Sequence, residues 1–348
     1  MDVIPYGVMA ALVGLVAGVV LGLSARLGNF CTLGALEMAA YGSDQRRLRM
    51  WGIVLAVSIT GTFLGVTSGH VDLMTTIYHQ IQWNPLASIV GGLIFGYGMA
   101  LAGNCGFGAL VRFGGGDLRS LVVVVVMGIF GFVALSGPLA PLRVGLFDQV
   151  LAIEQQGITA TVEAVTGIPA LVTALGIALG FLIWALAYGP LRRSPSDVIW
   201  GAVAGLAVVW SFWATSWIYA ESFGEVQVEG LSFTAPVGRT LIYLMTSTAG
   251  GLNFSVGAVS GVMAGALAGS LWRGRFQWEA CDDPRELGRQ VAGAALMGIG
   301  GVIALGCSVG QGVSAFATLA WSAPVTLAAI SAGALLGLRR LIGAAQAD

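Results

Sequence analysis

Three of the four cysteines in this chain sit in glycine-framed settings that could serve an anion. Cys31 lies in Gly28-Asn29-Phe30-Cys31-Thr32-Leu33-Gly34 and Cys105 in Gly103-Asn104-Cys105-Gly106-Phe107-Gly108. Cys307 lies in Gly306-Cys307-Ser308-Val309-Gly310-Gln311-Gly312. Each ends a long apolar run and begins a short one. If the short segments are helical, each thiol stands at a helix N-terminus, where free N–H groups and the positive dipole end favour an anion. The same place activates a thiol and presents its S–H to a ligand. The helix-start amides of Gly106, Phe107 and Gly108, and of Ser308, Val309 and Gly310, are then candidate donors beside Cys105 and Cys307. Cys281 differs, because the acids of Trp278-Glu279-Ala280-Cys281-Asp282-Asp283 disfavour a thiolate. Asp283-Pro284-Arg285-Glu286 reads there as a capped helix start, and Cys281 is set aside.

Competing chemistries lack their residues. No C-x-x-C occurs, and four cysteines with two histidines make neither a disulfide scaffold nor a clustered metal site. His70 and His79 fall in an expected outer loop, where a surface role is the simpler expectation. Gly106-Phe107-Gly108 with Gly114-Gly115-Gly116 fails the dinucleotide spacing. Neither a Ser/His/Asp set nor a carboxylate pair stands out, so no metal, no cofactor and no enzyme activity are expected. Glu37, the one acid in an apolar segment, reads as a helix cap near a basic loop. Arg112 and Arg119 bracket a glycine turn and could guide an anion, although topology alone also places arginines there.

The elements that must hold these groups are membrane helices. Hydrophobic residues make up 57% of the 348 and charged residues 9%, against roughly 45–50% and about 25% in a soluble protein. All sixteen basic residues are arginine, and the net charge of −1 suggests neither a nucleic-acid partner nor a polybasic tether. The partner of such a surface is the lipid bilayer. Nine stretches approach the length of a span: 4–25, 50–69, 86–103, 120–137, 167–188, 198–217, 253–272, 289–305 and 322–338. Four shorter pieces, 28–41, 105–113, 238–250 and 308–320, look like re-entrant helices. The fold class expected is therefore an all-α polytopic membrane protein, with about nine long helices and about four short ones.

Arginine placement gives the orientation, since cytoplasmic loops retain the basic residues. Arginines 26, 46, 47, 49, 112, 119, 192, 193, 273, 275, 285, 289, 339 and 340 fall at alternate connections, leaving only Arg143 and Arg239 on the other side. The N-terminus is expected outside and the C-terminus in the cytoplasm, with 238–250 only partly inserted. The first apolar run has no positive stretch before it and is expected to be retained. Glu221, Glu225 and Glu229 then make an acidic outer loop, expected to be solvated.

The chain also repeats itself. Gly91, Gly96, Gly98, Ala102, Cys105 and Gly108 match Gly293, Gly298, Gly300, Ala304, Cys307 and Gly310 at an offset of 202 without gaps. Gln82-Trp83 echoes Gln277-Trp278, and 14–18 resembles 201–205. Two pseudo-symmetric inverted repeats are expected, 1–190 and 197–348, joined by a cytoplasmic linker at 191–196 into one membrane domain. Inverted repeats with broken helices are a transporter signature. Glycines 257, 261, 265 and 269, and 14, 18 and 22, recur at every fourth residue, which suits close helix packing.

In its three cysteine motifs the chain resembles the YeeE/YedE family of bacterial inner-membrane sulfur transporters, over almost its whole length. The strongest points are Gly103-Asn104-Cys105-Gly106-Phe107-Gly108 running into Arg112-Phe113-Gly114-Gly115-Gly116, and Gly306-Cys307-Ser308-Val309-Gly310. Gly103-Asn104-Cys105 departs from the Gly-Gly-Cys of many members. The resemblance implies an hourglass-like pseudo-twofold fold that imports thiosulfate along Cys31, Cys105 and Cys307 through transient S–H···S hydrogen bonds. It also implies a separate TusA-like sulfur-carrier protein on the cytoplasmic side. Carriage of another species such as sulfite or selenite, a membrane thiol oxidoreductase, and a non-transporting scaffold are the alternatives left open.

Overall fold

The computed structural model describes residues 5–147, 150–152, 156–248, 250–280 and 283–345, so Cys281 lies outside the described residues. In chain order its helices are α1 (Tyr6–Gly28), α2 (Thr32–Ala40), α3 (Arg46–Thr67), α4 (Ile77–Gln80), α5 (Pro85–Ala102), α6 (Gly106–Gly114), α7 (Leu118–Leu135) and α8 (Ala140–Leu146). They continue with α9 (Ile158–Thr166), α10 (Ala170–Leu186), α11 (Gly189–Arg192), α12 (Pro195–Glu221), α13 (Thr234–Thr246), α14 (Phe254–Trp272), α15 (Pro284–Ile303) and α16 (Ser322–Ala345). Among the described residues there is no strand, only four isolated bridges.

Seven spans among the described residues are long and apolar enough to cross a membrane, built on α1, α3, α5, α7, α12, α14 and α16. The other two expected crossings fall on α10, an apolar helix of 17 residues, and on α15, whose first turns carry Arg285, Glu286, Arg289 and Gln290. Side-chain caps start several of these helices. Asn84 accepts from the N–H groups of Leu86 and Ala87, Asn253 from Val256, Asp117 from Arg119 and Asp283 from Arg285. Each capping oxygen occupies donors that the first helical turn leaves free.

Glycine brings the backbones together. α1 runs parallel to α14, and a methyl group added at Gly257, Gly261 or Gly265 would overlap the carbonyl oxygen of Ala11, Leu15 or Val19. Gly14, Gly18 and Gly22 return the contact from α1 onto Phe254, Ala258 and Val262. In a membrane this close fit replaces the hydrophobic drive that water would supply. α5 and α15 cross antiparallel in a reciprocal way. Gly91 meets the Gly300 carbonyl at 2.8 Å from its would-be Cβ, while Gly98 meets the Gly293 carbonyl at 2.6 Å. α16 closes on the other face of α5 through Gly92, Gly96 and Gly333.

Arginines tie neighbouring segments together at the end of α1 and the start of α7. Arg273 donates to the carbonyls of Arg26 and Leu27, and Arg119 reaches Asp117, Glu279 and Glu286. Arg119 thereby links the start of α7 to Glu279 and to the first turn of α15. Arg112 is exposed at the end of α6, and Glu37 is exposed in the body of α2 rather than at a cap.

Two surface expectations are overturned. His79 is completely buried under Gly157, because α4 folds back into the protein and not over it. Glu229 is half-buried and ion-paired with Arg239 at 3.2 Å, whereas Glu221 and Glu225 are exposed. A third difference lies at 308–320. In place of an α-helix beginning at Cys307, Gly310–Ala315 form a π-type turn.

Candidate functional site

The helices that lead to the three cysteines stop in the same way. Asn29, Gly103 and Leu305 each take a left-handed conformation two residues before a thiol, with φ of 56°, 71° and 56°. Asparagine and glycine accept that geometry readily, but leucine is held there at a cost of about 1–2 kcal/mol. Gln311 secures the third break. Its side-chain amide donates to the carbonyls of Ala304 and Leu305 at 3.0 and 3.2 Å, capping the end of α15.

Beyond each break the thiol enters a different setting. Cys31 is the extended N-cap of α2, partly exposed, with no hydrogen bond from its own helix start. Cys105, fully buried, caps α6, and its Sγ accepts from the Gly108 N–H at 3.3 Å. The equally buried Cys307 Sγ accepts from the N–H groups of Gly310 at 3.4 Å and Phe233 at 3.3 Å, with the Ser232 hydroxyl at 3.8 Å. All three are free thiols. Cys31, Cys307 and the Ser308 hydroxyl all lie within interaction range of the Cys105 thiol. The Thr32 hydroxyl, next to Cys31, donates to Ser308, next to Cys307, at 3.1 Å. The sequence-predicted cysteines are thus brought to one place, although their motifs lie as much as two hundred and seventy-six positions apart.

Aromatic rings enclose this centre. Phe107 packs against Phe233 and Phe30 with centroids 5.2 and 6.2 Å away, and Phe30 packs on Trp51 at 5.0 Å. Each of the three phenylalanines is buried. Rings at this density exclude water, so any ion held here meets thiols, hydroxyls and amide N–H groups. Among the described residues no group of three or more acids, histidines and cysteines could hold a metal ion.

Cavities approach the centre from both sides. One of about 130 Å³ is lined by Tyr78, Glu229, Ser232, Thr234, Arg239 and Gly306, the last beside Cys307. Glu229 and Gln227 also line a larger, neighbouring cavity of about 580 Å³ that includes Pro5, Glu225 and Asn253. Glu229 is fixed there by Arg239 and by the Ser255 hydroxyl at 3.1 Å. At the arginine end, a cavity of about 200 Å³ is bounded by Gly28, Asn29, Asp44, Arg46, Arg47 and Asp197. A methyl group at Gly34 would meet Arg47 Nη1 at 2.9 Å and Cys31 Sγ at 3.8 Å, so this cavity lies beside the Cys31 end.

Several members of the site were not named from sequence: Thr32, Ser232, Phe233, Thr234 and Gln311. A usable signal existed for some of them. The offset of 202 that relates the cysteine motifs also pairs Gly28 with Gly230 and Thr32 with Thr234.

Comparison with known proteins agrees with this architecture. A family model described as sulphur transport matches residues 27–336. The chain is 26% identical over 323 residues to the thiosulfate transporter TsuA of Escherichia coli (strain K12), covering 88% of each chain. It is 27% identical over 331 residues to the thiosulfate transporter TsuA of Spirochaeta thermophila, covering 90% of this chain and 94% of that one. With a matching model over most of its length and helices able to span a bilayer, the chain belongs to the sulphur-transport (YeeE/YedE) family of membrane proteins.

Proposed function

We propose that this protein is a thiosulfate importer, a carrier rather than an enzyme, in which the ion passes Cys307, Cys105 and Cys31 in turn. The observation that carries the proposal is the meeting of three free thiols between cavities on opposite sides. A thiol S–H is a soft, weak donor suited to the terminal sulfur of thiosulfate, and helix-start amides suit its oxygens. The candidate amides are those of Gly106 and Phe107, and of Ser308 and Val309; the N–H groups of Gly108 and Gly310, also expected as donors, are turned onto the sulfurs of Cys105 and Cys307 instead. Weak contacts in series favour passage, because a site must release what it binds.

The orientation follows from the arginines. The end bearing Arg46 and Arg47 faces the cytoplasm, the N-terminus of α1 faces the periplasm, and the membrane is the bacterial inner membrane. A TusA-like carrier protein would take the sulfur at the arginine end. The reciprocal Gly91–Gly300 and Gly98–Gly293 contacts support two inverted repeats, 1–190 and 197–348, because the offset of 202 exchanges one contact for the other. Entry of a dianion against an inside-negative potential costs about 4.6 kcal/mol per 100 mV, so import depends on coupling or on rapid consumption inside.

The test is growth on thiosulfate, with labelled uptake, in a strain lacking its other sulfate and thiosulfate importers. Wild type restores both, Cys105→Ala and Cys307→Ala fail at normal expression, and Cys281→Ala behaves as wild type. Full rescue by the Cys105 and Cys307 variants would sink the thiol path.

A further inference from the structure

One wall of the cavity next to Cys307 is formed by a threonine whose buried hydroxyl has nothing to bind. Thr234 is 2% exposed, lines the 130 Å³ cavity, and its Oγ1 has no hydrogen-bond partner. It stands over Gly301, another cavity-lining residue, whose would-be Cβ lies 2.6 Å from the oxygen. Threonine hydroxyls in helices usually return to a carbonyl of the preceding turn, as Thr240 does to Pro236 at 2.8 Å. As the first residue of the 13-residue α13, Thr234 has no such turn behind it, and the first N–H groups of that helix lie beside it. A buried hydroxyl left unpaired costs about 1–3 kcal/mol.

The sequence correspondence explains why it is unpaired. At the offset of 202, Thr234 matches Thr32, which opens α2 as Thr234 opens α13. Thr32 spends its hydroxyl on Ser308. The residue that corresponds to Ser308 is Gly106, which has no side chain to receive a bond from Thr234. One threonine therefore ties the centre together and its counterpart is left to a ligand.

We infer that Thr234 is a substrate-contacting residue of the chamber before Cys307, donating to an oxygen of a tetrahedral sulfur oxyanion. The inference rests on the transport function proposed above and adds a division of labour to it. Thr234 and the first amides of α13 hold the oxygens, while Cys307 meets the sulfur. Arg239, on the same wall, adds positive charge that Glu229 partly balances.

The test is labelled thiosulfate uptake into proteoliposomes, with melting temperature measured on the same preparations of wild type, Thr234→Val and Thr234→Ser. Valine keeps the shape and removes only the hydroxyl. A hydrogen bond to a charged group implies that KM rises about tenfold or more in Thr234→Val. Its melting temperature should be unchanged or higher, since an unsatisfied group has been removed. Thr234→Ser should return KM to near the wild-type value. An unchanged KM in Thr234→Val overturns the inference, as does equal impairment of both variants or a lower melting temperature accompanying the valine defect. Absence of uptake by wild type would instead refute the transport function and take this inference with it.

Discussion

The hydroxyl of Thr32 donates to the hydroxyl of Ser308 at 3.1 Å, joining the segment after Cys31 to the segment after Cys307. Both residues are buried, and the Ser308 hydroxyl also reaches the Cys105 thiol, so the bond belongs to a small polar cluster inside the protein. The bond lies where the short pieces of the chain meet and fixes the distance between two of the three thiols.

Thr32→Val should therefore destabilise the protein by about 1 kcal/mol, by removing the bond that ties the two segments together. This is the opposite sign to the matched change at Thr234. Thermal unfolding of the two valine variants side by side checks the contrast, and a stabilised Thr32→Val would contradict it.

Gly257→Ala should be far more damaging. Its methyl group would overlap the Ala11 carbonyl oxygen, forcing α1 and α14 apart at an overpacking cost of about 3 kcal/mol. Gly180→Ala in α10 meets nothing within 4 Å and should gain about 0.5–1 kcal/mol from helix propensity. Size-exclusion profile and melting temperature in detergent measure both.

Acid should weaken the fold through His79. An unfolded imidazole takes up its proton near pH 6.5, whereas burial lowers the pKa of His79 to about 4. Between those values the unfolded chain binds more protons, so stability falls as pH falls, by about 3 kcal/mol in all. Melting temperature should decline from pH 6.5 to pH 5, above the range of ordinary carboxylates. His79→Gln should flatten that part of the curve, and an unaltered slope would count against burial as its cause.

Leu305 offers a test of the helix breaks. Asparagine at 305 should keep uptake and the melting temperature, since it tolerates positive φ as Asn29 does. Valine, branched at Cβ, should lower stability by more than the about 1–2 kcal/mol already stored there. Equal melting temperatures for the two variants would mean that the left-handed turn is not what ends α15.

The long helices were legible in the sequence because a span is simply a long apolar run. α2, α6 and α13 were legible as well, since glycine punctuates the chain before each one. The π-type turn at Gly310–Ala315 was not, because an apolar run does not distinguish one helical hydrogen-bond pattern from another. α8 and α9 escaped notice in a segment whose mixed composition reads as loop. The cysteines themselves could be chosen by context, but Phe233 reaches Cys307 only through tertiary packing, 74 positions away. His79 and Glu229 were misplaced for a related reason. Loop residues are expected to face water, and here the connections fold inward to line the approach to the centre.

The glycine seams have a mechanical meaning. α1 and α14 come from distant parts of the chain, yet they touch backbone to backbone along three successive turns, as α5 does with α15 and α16. Tooth-and-notch contacts of this kind resist both sliding and tilting, because any shift drives a carbonyl into a neighbouring chain. A carrier that rocked two bodies about a hinge would need a bearing surface, and these joints behave as welds. A thiosulfate path of the kind proposed would then run through a frame that these seams hold in place.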